Sequence, residues 1–401
     1  MDADKEITRG IRFQRFMYKF ALFFIGRFYT WKSDFTYEPY RPKNRTFLLL
    51  ANHNMDLDPF QLVIGTKSHM RFVASESILK GPFGHIISFC VGPIPKKKGA
   101  PSDHLIDTII RNLKNGISVS MHPETEKSWD GQTQAISPKT AKIAKESGAA
   151  LITYRLYGGY LRTPHWGKNT RKGPTFGEVV HEYSPEDLKA MSEEEVYGAI
   201  CRDLRVNAFE FQREEGHMYK YTGKDLAENL ELICYICPRC EAVGAMASKG
   251  DVLRCRECGF EVRYTEYGFL EGKDAVFDNS ADWSAWQKKW LHENSKKLKG
   301  QVTEPIIVNK DVALYERTLQ KKEICSGAQC CLYGDRIDIA KEGQVLESFK
   351  LKDITKLASF KTESISFTCR GAFYQIKSRT YPISGYEYFG LWRILTDREY
   401  Y

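Results

Sequence analysis

The stretch "FLLLANHNMDLDPF", Phe47 to Phe60, decides how this chain is read. Phe47 to Ala51 are apolar without interruption, as in a strand buried on both faces. Polarity then returns abruptly. Asn52 and His53 follow, and Asp58 stands before Pro59 at the head of a helical pattern, "DPFQLVIGTK". Functional groups at the end of a buried strand project from the edge of the sheet, outside its core. A histidine there can abstract a proton near neutral pH. A turn that returns Asp58 to the imidazole's other nitrogen would fix the tautomer and stabilise the imidazolium. No nucleophile accompanies the pair, so the base would activate a hydroxyl supplied by the substrate. The alternative is a loop histidine beside an aspartate that caps a helix, with Pro59 in its first turn.

Outward from this stretch, strands and helices alternate. "MRFVAS", "ISVSMHP" and "AALITYRLYGG" read as strands. "SDHLIDTIIRNLKNG" and "SPKTAKIAKESG" read as helices, the first ending at Gly116. "SPEDLKAMSEEEVYGAICRDL" holds two helix starts, with Ser192 and Glu195 spaced as a capping box. Such alternation predicts an α/β domain with helices covering a sheet.

The order of motifs carries a resemblance. After "NHNMDLD" comes a Gly-Pro turn with the basic run "PKKKG", then "HPETEKS" (122 to 128) behind a strand. This resembles the 1-acylglycerol-3-phosphate acyltransferase family, glycerolipid acyltransferases with an NHxxxxD motif, over residues 36 to about 215. The resemblance implies an acyltransferase domain with helices around a mixed sheet. It implies His53 as general base, Asp58 as its orienting partner, and Glu124 as the carboxylate that helps place the glycerol moiety. The family's Phe-Pro-Glu-Gly-Thr-Arg-Ser is matched at Pro123, Glu124 and Ser128; Thr125, Glu126 and Lys127 replace its Gly, Thr and Arg. Ser75 stands where many members carry a lysine. Binding of the acceptor's phosphate would then fall to Lys80, Lys96, Lys97, Lys98 or Lys127. The lysine run reads equally as a solvated loop.

A second motif is independent of the first. Cys237-x2-Cys240 and Cys255-x2-Cys258 have the spacing of a closed four-thiolate zinc ribbon, in which Zn2+ is structural. Cys234 lies close enough to compete but reads as a spare buried thiol. Cys325, Cys330 and Cys331 fit no closed metal site. Eleven cysteines, in close pairs and without a signal peptide, suit a reducing compartment.

The remaining segments frame these two. No run is long and apolar enough to span a bilayer. "IRFQRFMYKFALFFIGRFY" places Phe13, Phe16, Met17, Phe20 and Phe24 on one helical face, and Arg12, Arg15 and Lys19 on the other. That predicts an interfacial helix at a membrane surface, against the alternative of a helix packed on the protein's own core. "DWSAWQKKWLHEN" aligns Trp283, Trp286 and Trp290 as a core face, and "SKKLKG" to Gly300 reads as a linker. Short alternating runs and a closing helix, "YEYFGLWRILTD", resemble a pleckstrin-homology-like fold.

The expected organisation is an amphipathic helix (1–35), an acyltransferase domain (36–215), a zinc ribbon (216–275), a helical linker (276–300) and a β-rich pleckstrin-homology-like domain (301–401). The expected activity is transfer of a fatty acyl group from acyl-CoA or acyl-carrier protein to the free hydroxyl of a lysophospholipid, foremost 1-acylglycerol-3-phosphate, giving phosphatidic acid. The expected place is the cytoplasm, peripheral on the inner face of a membrane. A weakened acyltransferase scaffold that binds membrane or a partner is one alternative. A zinc-ribbon nucleic-acid binder is another, suggested by the net charge of +8. It lacks a basic stripe interleaved with stacking aromatics, which argues against nucleic acid.

Overall fold

The computed structural model of the chain describes residues 10–21, 23, 26, 30, 32–76, 79, 88, 91–96, 103–124, 126–317, 321–360 and 362–398. The chain divides into two compact units: Met1–Pro164 with Arg171–Tyr221, and His165–Thr170 with Thr222–Tyr401.

The first unit is built on β1 (Phe35–Tyr37), β2 (Phe47–Ala51), β3 (Arg71–Ser75), β4 (Ile94–Lys96), β5 (Val119–Met121), β6 (Ala150–Tyr157) and β7 (Thr175–Tyr183). Their order across the sheet is β1-β7-β6-β2-β5-β3-β4. β2 runs parallel to both its neighbours, and β3 and β4 continue in that direction. β7 is antiparallel to β6, so the sheet is mixed. The uninterrupted apolar run of β2 follows from its central place. Leu48 and Leu50 face a core shared with Val119, Leu151 and the helices Asp103–Lys114, Lys139–Ser147 and Glu193–Leu204. Phe47, Leu49 and Ala51 face the opposite core with Leu62, Ile64, Met70 and Tyr154. Side chains alternate faces along a strand, so burial on both sides requires apolar residues at every position. The expected capping box of Ser192 and Glu195 forms, and Ser184 with Asp187 makes another one helix earlier.

The N-terminal helix is Ile11–Ala21. Its inward face is polar. Gln14 is buried and accepts from Arg71 at 3.1 Å, and Tyr18 donates to Val63 O and meets His69 edge-on. Phe13 and Phe16, on the predicted apolar face, are 41% and 65% exposed. The side chains of Phe20 and Phe24 lie outside the described residues. Among the described residues no helix is long and apolar enough to cross a membrane.

The second unit holds two antiparallel sheets. β8 (Met246–Lys249), β9 (Val252–Cys255), β10 (Glu261–Tyr264) and β11 (Leu270–Glu271) form a small one. The larger has β12 (Ile307–Arg317), β13 (Lys321–Leu332), β14 (Arg336–Lys341), β15 (Gln344–Lys350), β16 (Ile354–Phe360), β17 (Ser364–Cys369) and β18 (Ala372–Ser378), in the order β15-β14-β13-β12-β18-β17-β16. Two meanders thus join where the first strand pairs with the last, and the helix Gly385–Leu395 closes the core, the pleckstrin-homology-like arrangement expected. Trp283 and Trp290 are buried and Trp286 packs against the same core, as their spacing predicted. The "SKKLKG" segment, read as a linker, is a short helix, Ser295–Gly300, with Leu298 in that core.

Candidate functional site

The loop after β2 turns back on itself around one carboxylate. Asp58 is fully buried, and its Oδ2 accepts from the backbone N–H groups of Asn54 (2.6 Å) and Met55 (3.0 Å). The same oxygen lies 2.9 Å from His53 Nδ1, which therefore carries the proton and leaves Nε2 as the basic nitrogen. Asp58 does not cap the helix Asp58–Thr66 that it begins; the N-cap position is Leu57, with no side-chain hydrogen bond. Three donors on its own loop draw the carboxylate inward. Burial pushes Asp58 up to about 6, opposed by His122, by the Met55 and Asn54 N–H groups and by Lys127. Asn52 and Asn54 fasten the loop to β6: both side-chain amides donate to Leu156 O, and Asn52 accepts from Leu156 N.

The register of β2 with β5, Leu50 opposite Met121, sets the next loop beside the first. Glu124 is buried, and both its oxygens receive backbone N–H groups, one from His53 at 2.6 Å and one from Gln134. It braces the backbone of His53. Burial pushes it up to about 8, opposed by the N–H groups of Gln134 and His53. Ser128 N donates to His53 O at 2.9 Å and binds the two loops a second time. Lys127 reaches Asp56 at 3.0 Å.

The sequence reading missed His122. Its ring stacks on His53 with centroids 4.2 Å apart and planes 9° from parallel. Its Nδ1 is 3.0 Å from both Ala51 O and Asn52 O, so that nitrogen carries the proton. Burial, and then the neighbouring His53, hold it down to about 4, so it stays neutral. His53, Asp58 and His122 are close enough to suggest a metal group. Face-stacked rings do not share a plane, however, and a metal ion must lie near the plane of each imidazole it binds. The trio is a stacked pair of imidazoles, one of them bonded to a carboxylate. The one signal in the sequence was a histidine directly before Pro123, where the resembling family has phenylalanine.

Of the other expected phosphate ligands, only Lys96 is among the described residues. Lys96 ends β4 opposite Ser75, on the same sheet edge but with β3 and β5 between it and β2. Lys80, Lys97 and Lys98 lie outside the described residues, as does Thr125.

In the second unit, Cys237, Cys240, Cys255 and Cys258 form one cluster that could hold a metal ion. Cys237 Sγ is 3.6 Å from Cys258 Sγ, and Cys240 Sγ is 3.7 Å from Cys255 Sγ. A tetrahedron with metal–sulfur bonds of about 2.3 Å has edges of about 3.8 Å, so the set fits. Backbone N–H groups of Cys240 and Arg239 point at Cys237, and that of Phe260 at Cys258. Gly259 supplies the left-handed turn after the last thiol, with φ +70°. Cys234 is buried and stands outside the four.

No protein-family model matches the chain. Over 173 residues, 42% of this chain and 68% of the relative, it is 22% identical to a 1-acyl-sn-glycerol-3-phosphate acyltransferase of Borreliella burgdorferi. The acyltransferase resemblance is borne out. Among solved structures the chain is similar to the 1-acyl-sn-glycerophosphate (LPA) acyltransferase PlsC from Thermotoga maritima, with 23% identity and a TM-score of 0.41 over 48% of this chain and 76% of that one. The acyltransferase-like part is accompanied here by the four-cysteine cluster and the β-rich C-terminal sheet.

Proposed function

We propose that this chain is an O-acyltransferase that moves a fatty acyl group from a thioester, acyl-CoA or acyl-carrier protein, to the free hydroxyl of a lysophospholipid. The observation that carries the reading is the bond of His53 Nδ1 to the fully buried Asp58, on a ring that is 24% exposed at the edge of the sheet. His53 Nε2 takes the acceptor's hydroxyl proton as the oxygen attacks the thioester carbonyl. The tetrahedral intermediate then expels the thiolate, and the protonated imidazole returns the proton to sulfur. Asp58 stabilises the imidazolium between these steps. The reference acceptor, taken from the relative's name, is 1-acylglycerol-3-phosphate, whose product would be phosphatidic acid.

The lipid acceptor places this chemistry at a membrane surface, and the outward Phe13 and Phe16 suit peripheral attachment on the cytoplasmic face. Zn2+ in the four-cysteine cluster is structural, because four thiolates leave no open position. A direct test is thiol release from acyl-CoA in the presence of lysophospholipids. His53→Ala should lower turnover at least ~100-fold with the melting temperature unchanged. A variant that keeps near-normal rates would remove His53, and the acyl-transfer reading with it.

A further inference from the structure

Asp56 lies inside the NHxxxxD stretch, between the base and its partner, and Lys127 occupies the position that resembles a phosphate-gripping arginine. The two are joined at 3.0 Å, with Asp56 69% exposed and Lys127 15% exposed. The cation therefore sits beneath the carboxylate, and an approaching headgroup meets Asp56 first. The pair is close to the reacting centre. Ser128, next to Lys127, is bonded to His53 O, and Lys127 acts electrostatically on Asp58. Glu126, on the same loop, adds a carboxylate whose Oε2 accepts from Trp129 Nε1 at 2.9 Å.

These charges are poorly matched to a phosphomonoester. Such a group carries about −1.5 to −2 at neutral pH. To reach Lys127 it must open the pair and then lie beside Asp56, and like charges at an interface discriminate strongly. A zwitterionic headgroup meets a complement instead. Its phosphodiester can approach Lys127 while its amine approaches Asp56, one charge against each member of the pair.

We propose that Asp56 is a specificity-determining residue that turns this site from a phosphomonoester acceptor toward a lysophospholipid with a phosphodiester and an amine. The inference rests on the acyl-transfer reading above and narrows its acceptor.

The test compares three lysophospholipids of one acyl chain in mixed micelles: a phosphomonoester, a glycerol phosphodiester and an ethanolamine phosphodiester. The full-length protein should favour the ethanolamine form over the phosphomonoester by about tenfold in kcat/KM. Asp56→Asn should lower that ratio about tenfold, mainly through KM, and Asp56→Glu should restore it. A preference of the wild type for the phosphomonoester overturns the proposal. So does an Asp56→Asn ratio within about twofold of wild type, or equal use of the glycerol and ethanolamine forms. Absence of transfer to all three, from either donor, overturns the acyl-transfer reading itself. Any of the first three results leaves that reading standing.

Discussion

At the scale of single residues, the site holds two buried carboxyls, Asp58 and Glu124. Asp58 must be charged to favour the His53 imidazolium, yet burial pushes it up to about 6. The rate should therefore fall on the acid side as pH drops through about 6, and the pH profile of kcat would show it; Asp58→Asn should lower kcat ~100-fold and leave only the limb set by protonation of His53 itself. Stability should run the other way. Asp58 and Glu124 both protonate more readily in the folded chain than their ordinary values of 3.8 and 4.5. Their contribution is complete below those values and is lost as pH rises through about 6 for Asp58 and about 8 for Glu124. Thermal melts from pH 4 to pH 9 should show a falling midpoint, flattened in Glu124→Gln; a midpoint that rises across this window would contradict it. The sequence announced His53 and Asp58 because both lie on one short loop. It left open whether Asp58 capped the helix or held the imidazole, since Asp-Pro before an apolar run suits either. The N–H groups of Asn54 and Met55 decided that competition. His122 was out of reach because its stacking depends on the long-range pairing of β2 with β5.

At the scale of elements, periodicity located the N-terminal helix and its two faces but carried no information on which face meets the protein. The structure turns Phe13 and Phe16 outward, with Gln14 and Tyr18 inward against Arg71 and Val63. An interfacial helix of this kind should take the chain to anionic vesicles, with binding that weakens as salt rises, because Arg12, Arg15 and Lys19 add electrostatic attraction. Phe16→Asp puts a charge on the exposed face and should release the protein from vesicles in a sedimentation assay. It should leave the melting temperature within about 1 °C, as surface changes usually do. A large drop in melting temperature with binding retained would restore the core-packing alternative. Strands and helices of the sheet were legible for a simpler reason: β2 and β6 are buried on both faces, and the covering helices on one.

At the scale of the whole chain, the second unit has a feature that motif spacing could not reveal. Tyr235 and Ile236, beside the first thiol, belong to the same apolar core as Trp290, Leu298 and the strands from β12 to β18. Gln287 and Trp283 tie this core to the ribbon's approach, through Ile236 N at 2.9 Å and Ile236 O at 3.0 Å. Loss of metal should therefore loosen more than the ribbon. Purified protein should carry one zinc per chain, and Cys255→Ser should release it and speed proteolysis of the larger sheet as well. Metal-free protein with both sheets still resistant would refute the assignment. The larger sheet has a further consequence, in time. β12 pairs with its sequence neighbour β13 on one side, but its other edge is completed only by β18, at Val312–Ser378 and Leu314–Ile376. On the ribosome, at about 5 to 20 residues per second, that edge waits for several seconds with its N–H and C=O groups unmatched. The nascent chain is most vulnerable to aggregation in that interval, and a chaperone that shields strand edges has most to do there.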